Sequence, residues 1–96
     1  MTLKSKDQRR KFDDLPLPQQ AGILCNEPQF QMFVASRLAL PDGEHQVTSG
    51  AAAEFLRQWC RINSRASLAY TPDAARRFAT LRTEFDAWRG KIPPQS

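Results

Sequence analysis

Prolines stand at positions 16, 18, 28, 41, 72, 93 and 94, and they decide where regular structure can run. A proline has no N–H to donate, and it drives the residue before it out of the helical region. No helix therefore crosses one in its interior. The windows between these prolines carry large apolar residues at spacings of three and four. Phe30, Phe33, Val34 and Leu38 follow Pro28. Ala52, Phe55, Leu56, Trp59 and Ile62 form the next stripe, and Ala74, Phe78, Leu81, Phe85 and Trp88 the last. Such spacing is one face of an α-helix. Strand-length alternation is lacking, except for a short stretch around His45 to Thr48. The expected class is all-α: a compact bundle of four to five short helices.

Cap chemistry sets the boundaries. Residues 1–14 hold only Leu3 and Phe12 as large apolar groups and read as a flexible basic N-terminal arm. The helical domain is expected over 15–90, with a C-terminal tail from 91 to 96. Leu15-Pro16-Leu17-Pro18 blocks helix continuation, and Pro18 suits the first turn of a helix running from Gln19 to Cys25. Asn26 is expected to cap the helix that Pro28 opens. Arg37 falls on that helix's apolar face, where it snorkels or pairs with an acid. Pro41-Asp42-Gly43 reads as a turn. Thr48 or Ser49 caps the third helix, and Asn63 or Ser64 a short one ending near Ala69. Thr71-Pro72-Asp73 is a cap, a first-turn proline and a first-turn acid in succession. Gly90 is placed to end the last helix in the left-handed conformation.

Ninety-six residues bound the chain to one domain. No run of eighteen apolar residues is present, and the basic N-terminus lacks an apolar core of signal-peptide type. The expected setting is the cytoplasm. The net charge of +4 is unevenly spread. Residues 1–11 and 51–96 each carry +4, and residues 12–50 carry −4. A basic patch of this kind attracts anionic partners, although it also serves solubility. Cys25 and Cys60 read as reduced, buried thiols. His45 is the only histidine and has no ligand-spaced neighbour, so no metal or other cofactor is expected.

Two features could carry function. The first is the junction WCRINSRASL at 59–68. A helix-turn-helix needs a small residue in its first helix and a glycine at the corner. In one register Arg57 and Arg61 occupy those places, and in the next Arg61 takes the apolar slot. The junction therefore reads as a corner rather than a DNA-reading turn. Arg57, Arg61 and Arg65, together with Lys4, Lys6, Arg9, Arg10 and Lys11, are the candidate surface for nucleic acid or an acidic protein. The basics are not interleaved with aromatics as single-strand binding prefers. The second feature is the seam of Phe78, Leu81, Phe85 and Trp88, spaced at intervals of three, four and three. Packing within the chain is its default reading, and a homodimer seam is the alternative. No phosphate loop, nucleophile elbow or paired carboxylate is recognisable, and a catalytic role is not expected.

The strings LPLPQQAGILCNEPQFQMFVASR, AAAEFLRQWCRINSRASL and ARRFATLRTEFDAWRG resemble small proteins encoded by phages and prophages in DNA replication and recombination modules. The likeness spans residues 15–90 and rests on the AGILCN, CRI-x-SR and FDAW segments. It implies a phage accessory protein in a bacterial host, and no catalytic residue comes with it. Three functions stand as expectations. The chain binds nucleic acid or a replication or recombination protein. It blocks a host defence complex, as an anti-CRISPR protein does. Or it is a structural dimer built on the 78–88 seam.

Overall fold

The computed structural model describes residues 12–40 and 45–91. Among them, a short helical stretch at 12–14 precedes four longer α-helices: α1 (Leu17–Cys25), α2 (Pro28–Leu38), α3 (Ser49–Cys60) and α4 (Pro72–Lys91). A 3-10 turn, Arg65–Ala69, links α3 to α4. The described residues contain no strand. The all-α bundle expected from the apolar spacing is the fold.

Each boundary has a local cause. Glu27 is extended at φ −79° and ψ 124° and immediately precedes Pro28. The steric demand of a proline on its predecessor places the N-cap there, one residue later than the Asn26 expected from side-chain preference. Asn26 instead ends α1, and its N–H donates to the Ile23 carbonyl at 3.1 Å. Thr48 caps α3 as expected, its hydroxyl accepting from the Ala51 N–H at 3.0 Å. Ser64 caps the 3-10 turn, its hydroxyl accepting from Ala66 at 3.2 Å. Both α2 and α3 end on left-handed residues that are not glycine, Ala39 at φ 52° and Arg61 at φ 61°. At the end of α3, Ile62 N–H reaches back to the Arg57 carbonyl and Arg61 N–H to that of Gln58, which is the Schellman pattern. Gly90 does not stop α4. The helix runs through it to Lys91, because a helical glycine is merely less favourable there and nothing in the sequence before Pro93 forbids the next turn.

The core forms where the three stripes meet. Phe30, Phe33, Val34, Leu56, Leu68, Phe78, Leu81 and Phe85 are buried together. Phe30 meets Phe85 edge-on at 5.3 Å, and Phe33 lies 5.5 Å from Phe85 and 5.6 Å from Trp88. Offset and edge contacts of this kind are the favourable aromatic geometries. They fasten α2 to the second half of α4. Phe55 and Trp59 pack from the other side, and the Trp59 indole N–H donates to the Arg77 carbonyl at 2.9 Å. The seam of Phe78, Leu81, Phe85 and Trp88 is therefore used inside the chain. Phe78, Leu81 and Phe85 are buried, with Trp88 packed against them, so this stripe is spent on the chain's own core.

Two buried glutamines that no apolar pattern signals complete the interior. Gln20 is 3% exposed and Gln31 8%. Gln20 donates to the Leu15 carbonyl at 2.9 Å and accepts from Arg82 at 3.1 Å. Arg82 also pairs with Asp13 and lies 5.2 Å over the Phe12 ring. Residues 12–14 are helical, so they join the folded unit rather than the arm in which the sequence reading placed them. Residues 1–11, the turn at 41–43 and the tail from 92 lie outside the described residues. Gln31 donates to the Cys25 carbonyl at 2.8 Å and accepts from Gln46 at 2.7 Å, which holds the approach to α3 against α2.

Two substitutions test these boundaries and ties by urea denaturation. Ala39→Gly removes a Cβ from a left-handed position and is expected to raise the unfolding free energy by about 1 kcal/mol. Gln31→Leu leaves polar groups at the α1–α2 junction without their partner and is expected to lower it by roughly 1–3 kcal/mol.

Candidate nucleic-acid interface

The arginines divide into two groups once their partners are known. Arg37 pairs with Glu84 across α2 and α4 and lies 5.2 Å over the Phe33 ring. Arg57 bonds Glu54 at 2.8 Å. Arg76 and Arg77 both reach Asp73, the latter at 3.1 Å. Arg82 meets Asp13 at 3.3 Å and Arg89 meets Asp86 at 3.1 Å. Arg61 and Arg65 have no carboxylate within 4.0 Å among the described residues, and both are exposed. Exposed pairs of this kind add little to stability. Their effect on the surface is larger, since each neutralises a cation locally. Among the described arginines, the two without a carboxylate both lie in the link between α3 and α4.

The fold brings Arg57 and Arg65 together and sends Arg61 elsewhere. Arg57 and Arg65 share a shallow recess with Pro18, Gln19, Asn63 and Ser64. The Arg65 guanidinium carbon would lie 3.5 Å from a Cβ on Gly22. The bare backbone of α1 thus gives this planar group a flat seat. Both guanidinium groups act on Cys25, favouring its thiolate, yet burial outweighs them and pushes that thiol up to about 11. Arg61 is turned by its left-handed backbone into a neighbouring recess with Trp59, Arg76, Arg77 and Thr80. Asp73 lies there too, its carboxyl held below the usual carboxylate value first by the hydrogen bond from Arg77. Glu54 is held low in the same way by Arg57 and Gln58. Both carboxylates are therefore charged at neutral pH and keep their arginines oriented.

Of the candidate surface residues, Arg57, Arg61 and Arg65 form this corner, and Lys4, Lys6, Arg9, Arg10 and Lys11 lie outside the described residues. Arg76 and Arg77 were not among the candidates, although they line the Arg61 recess. Their place in this recess is legible only once α3 is known to cross near Arg77. Tyr70 was also missed. It closes the 3-10 turn and is 72% exposed, more than any other large apolar side chain described.

Neither cysteine is an exposed thiol. Cys60 is buried, and burial lifts its thiol to about 11 against the opposing charge of Arg77. His45 is exposed in the segment before α3. Among the described residues, no group of three or more metal-ligating side chains comes together, and no helix is long and apolar enough to cross a membrane. What the corner supplies is planar cationic forks and hydroxyls, which suit phosphate oxygens. No family model, curated protein or solved structure matches the chain.

The two thiols give a pH test. Their folded values, about 11, exceed the ordinary 9.0. The folded state thus holds these protons more tightly, and the stability this contributes is complete below pH 9 and lost as the pH rises through 11. Urea midpoints are expected to fall across that window, and less so in a Cys25→Ala/Cys60→Ala variant. At pH 8 a thiol reagent is expected to label the native protein slowly and the denatured protein fully.

Proposed function

We propose that the chain is a non-enzymatic accessory module that binds nucleic acid through the corner formed by Arg57, Arg61 and Arg65. One observation carries the reading: six of the eight described arginines are matched by carboxylates, and the two that are not, Arg61 and Arg65, both lie at this corner. The two unmatched cations stand four residues apart in the link between α3 and α4, in separate recesses, whereas the paired arginines are spread over the helices. Arg57 adds a third fork beside Arg65, held in position by Glu54. The resemblance to phage proteins of replication and recombination modules supports DNA as the polymer and a bacterial host as the setting. The 3-10 turn is too short to enter a major groove as a recognition helix, so contact with the phosphate backbone fits the corner better than base reading from a helix-turn-helix.

Fluorescence anisotropy with a labelled oligonucleotide tests this at low salt. Three phosphate contacts predict log K falling with log salt at a slope of about −2 to −3. Arg65→Gln is expected to weaken binding and make that slope shallower by about 0.7–0.9. Arg89→Gln removes the same charge from a matched arginine elsewhere on α4 and is expected to change little. Undetectable affinity, or equal losses in the two variants, would defeat the reading.

A further inference from the structure

A tyrosine left in solvent at the far end of the turn that an unmatched arginine begins is an arrangement with a specific use. Tyr70 is 72% exposed at the end of the 3-10 turn that Arg65 begins. Its N–H donates to the Ser67 carbonyl at 3.2 Å, and the next residue, Thr71, donates to the same carbonyl at 3.0 Å. The backbone under the ring is therefore fixed on both sides. Between Arg65 and Tyr70, the side chains of Ala66 and Ala69 are exposed and small, while Leu68 anchors the turn in the core. A 3-10 turn rises about 2 Å per residue, so Tyr70 stands on the order of 10 Å from Arg65 along the turn. A few nucleotides of an extended strand span that gap. The other aromatic rings among the described residues are buried or half-buried, so Tyr70 alone presents an open face.

We infer that the nucleic acid taken by this corner is single-stranded, with an unpaired base stacked on Tyr70 and the adjoining phosphates held by Arg65. The inference rests on the nucleic-acid reading above and names its substrate class. Binding of single strands combines a cationic track with aromatic platforms, because every base has a face to stack and the backbone supplies the charge. A duplex keeps its bases stacked on one another and offers Tyr70 nothing but its edge or backbone. The corner supplies both elements within ten residues of chain, 61 to 70.

The test compares a 20-mer of deoxythymidine with a duplex of the same length, using the full chain and Tyr70→Ala, Tyr70→Trp and Arg65→Gln variants. The full chain is expected to favour the single strand. Tyr70→Ala is expected to weaken single-strand binding by about 5- to 100-fold while leaving its salt slope and the duplex affinity unchanged. Tyr70→Trp is expected to restore the single-strand affinity, since it keeps a stacking face. Exposure of the ring means that these variants fold, which circular dichroism confirms. Equal affinity for the two forms, or no loss in Tyr70→Ala, overturns the single-strand inference while Arg65→Gln still reports on the cationic corner. Loss of Arg65 dependence together with the absence of binding overturns both.

Discussion

The contact of Phe30 and Phe33 with Phe85 and Trp88 is the interaction on which the other arrangements depend. It fixes α2 against the second half of α4, and so decides which side of α4 faces inward. With that side spent on the core, the arginines of α4 have only the flanks and the outer face. There they meet Asp73, Asp13 and Asp86, each close enough to pair. Arg37, on the edge of the same cluster, covers Phe33 with its guanidinium and reaches Glu84. Cations near aromatic faces are attracted to the ring as well as to the carboxylate, and Arg89 over Phe85 repeats the pattern at 4.7 Å. Apolar packing thus organises the charges, and the charges do little to hold the fold.

The same organisation explains why the corner is the place left over. The 3-10 turn packs against α1 and α4 through Leu68, which brings Arg65 over α1 at Gly22. The first helix presents there no acid within reach, only Pro18, Gln19 and a glycine. Arg61 is carried away from Arg57 by the left-handed turn that ends α3. It arrives where Asp73 is already shared by Arg76 and Arg77. One carboxylate facing two guanidinium groups leaves nothing for a third. Among the described residues, the arginines left without a carboxylate are therefore the two in the link between α3 and α4.

The helices were legible in the sequence because prolines and caps act locally. Pro28, Thr48, Ser64 and Pro72 each determine a boundary through atoms within four residues. The apolar stripes at 30–34, 52–62 and 74–88 were legible for the same reason. What the sequence concealed depends on contacts between distant segments. Gln20 and Gln31 are ordinary polar letters until the carbonyls of Leu15 and Cys25 are seen to need donors. Arg82 and Asp13 are 69 residues apart, and their contact accompanies those of Arg82 with the Phe12 ring and of Gln20 with the Asp13 carbonyl. Asn26 was assigned as an N-cap on side-chain preference, but the proline two residues later exerted the stronger constraint. At the candidate site, charge counting over whole segments showed only where cations are in excess. It did not separate matched arginines from unmatched ones, which requires the geometry. Tyr70 looked like any aromatic residue between two helices, and only its exposure sets it apart.

Backbone strain at Arg61 is a weaker sign of function than it first looks. A non-glycine residue in the left-handed region carries a local cost of about 1–2 kcal/mol, and such costs often persist at working sites. Yet Ala39 occupies the same conformation at the end of α2, with a side chain too small to bind anything. Strain of this size is thus tolerated in this fold wherever a helix must stop and turn back, and it assigns nothing by itself. The two positions differ in what the Cβ carries. At Ala39 the strained residue ends in a methyl group; at Arg61 it aims a guanidinium into a recess already lined by two others. A third cation beside Arg76 and Arg77 is electrostatically unfavourable for the isolated protein. Under the proposed function, an anion entering the recess would relieve that repulsion, so the free energy of crowding the charges would be recovered on binding rather than on folding.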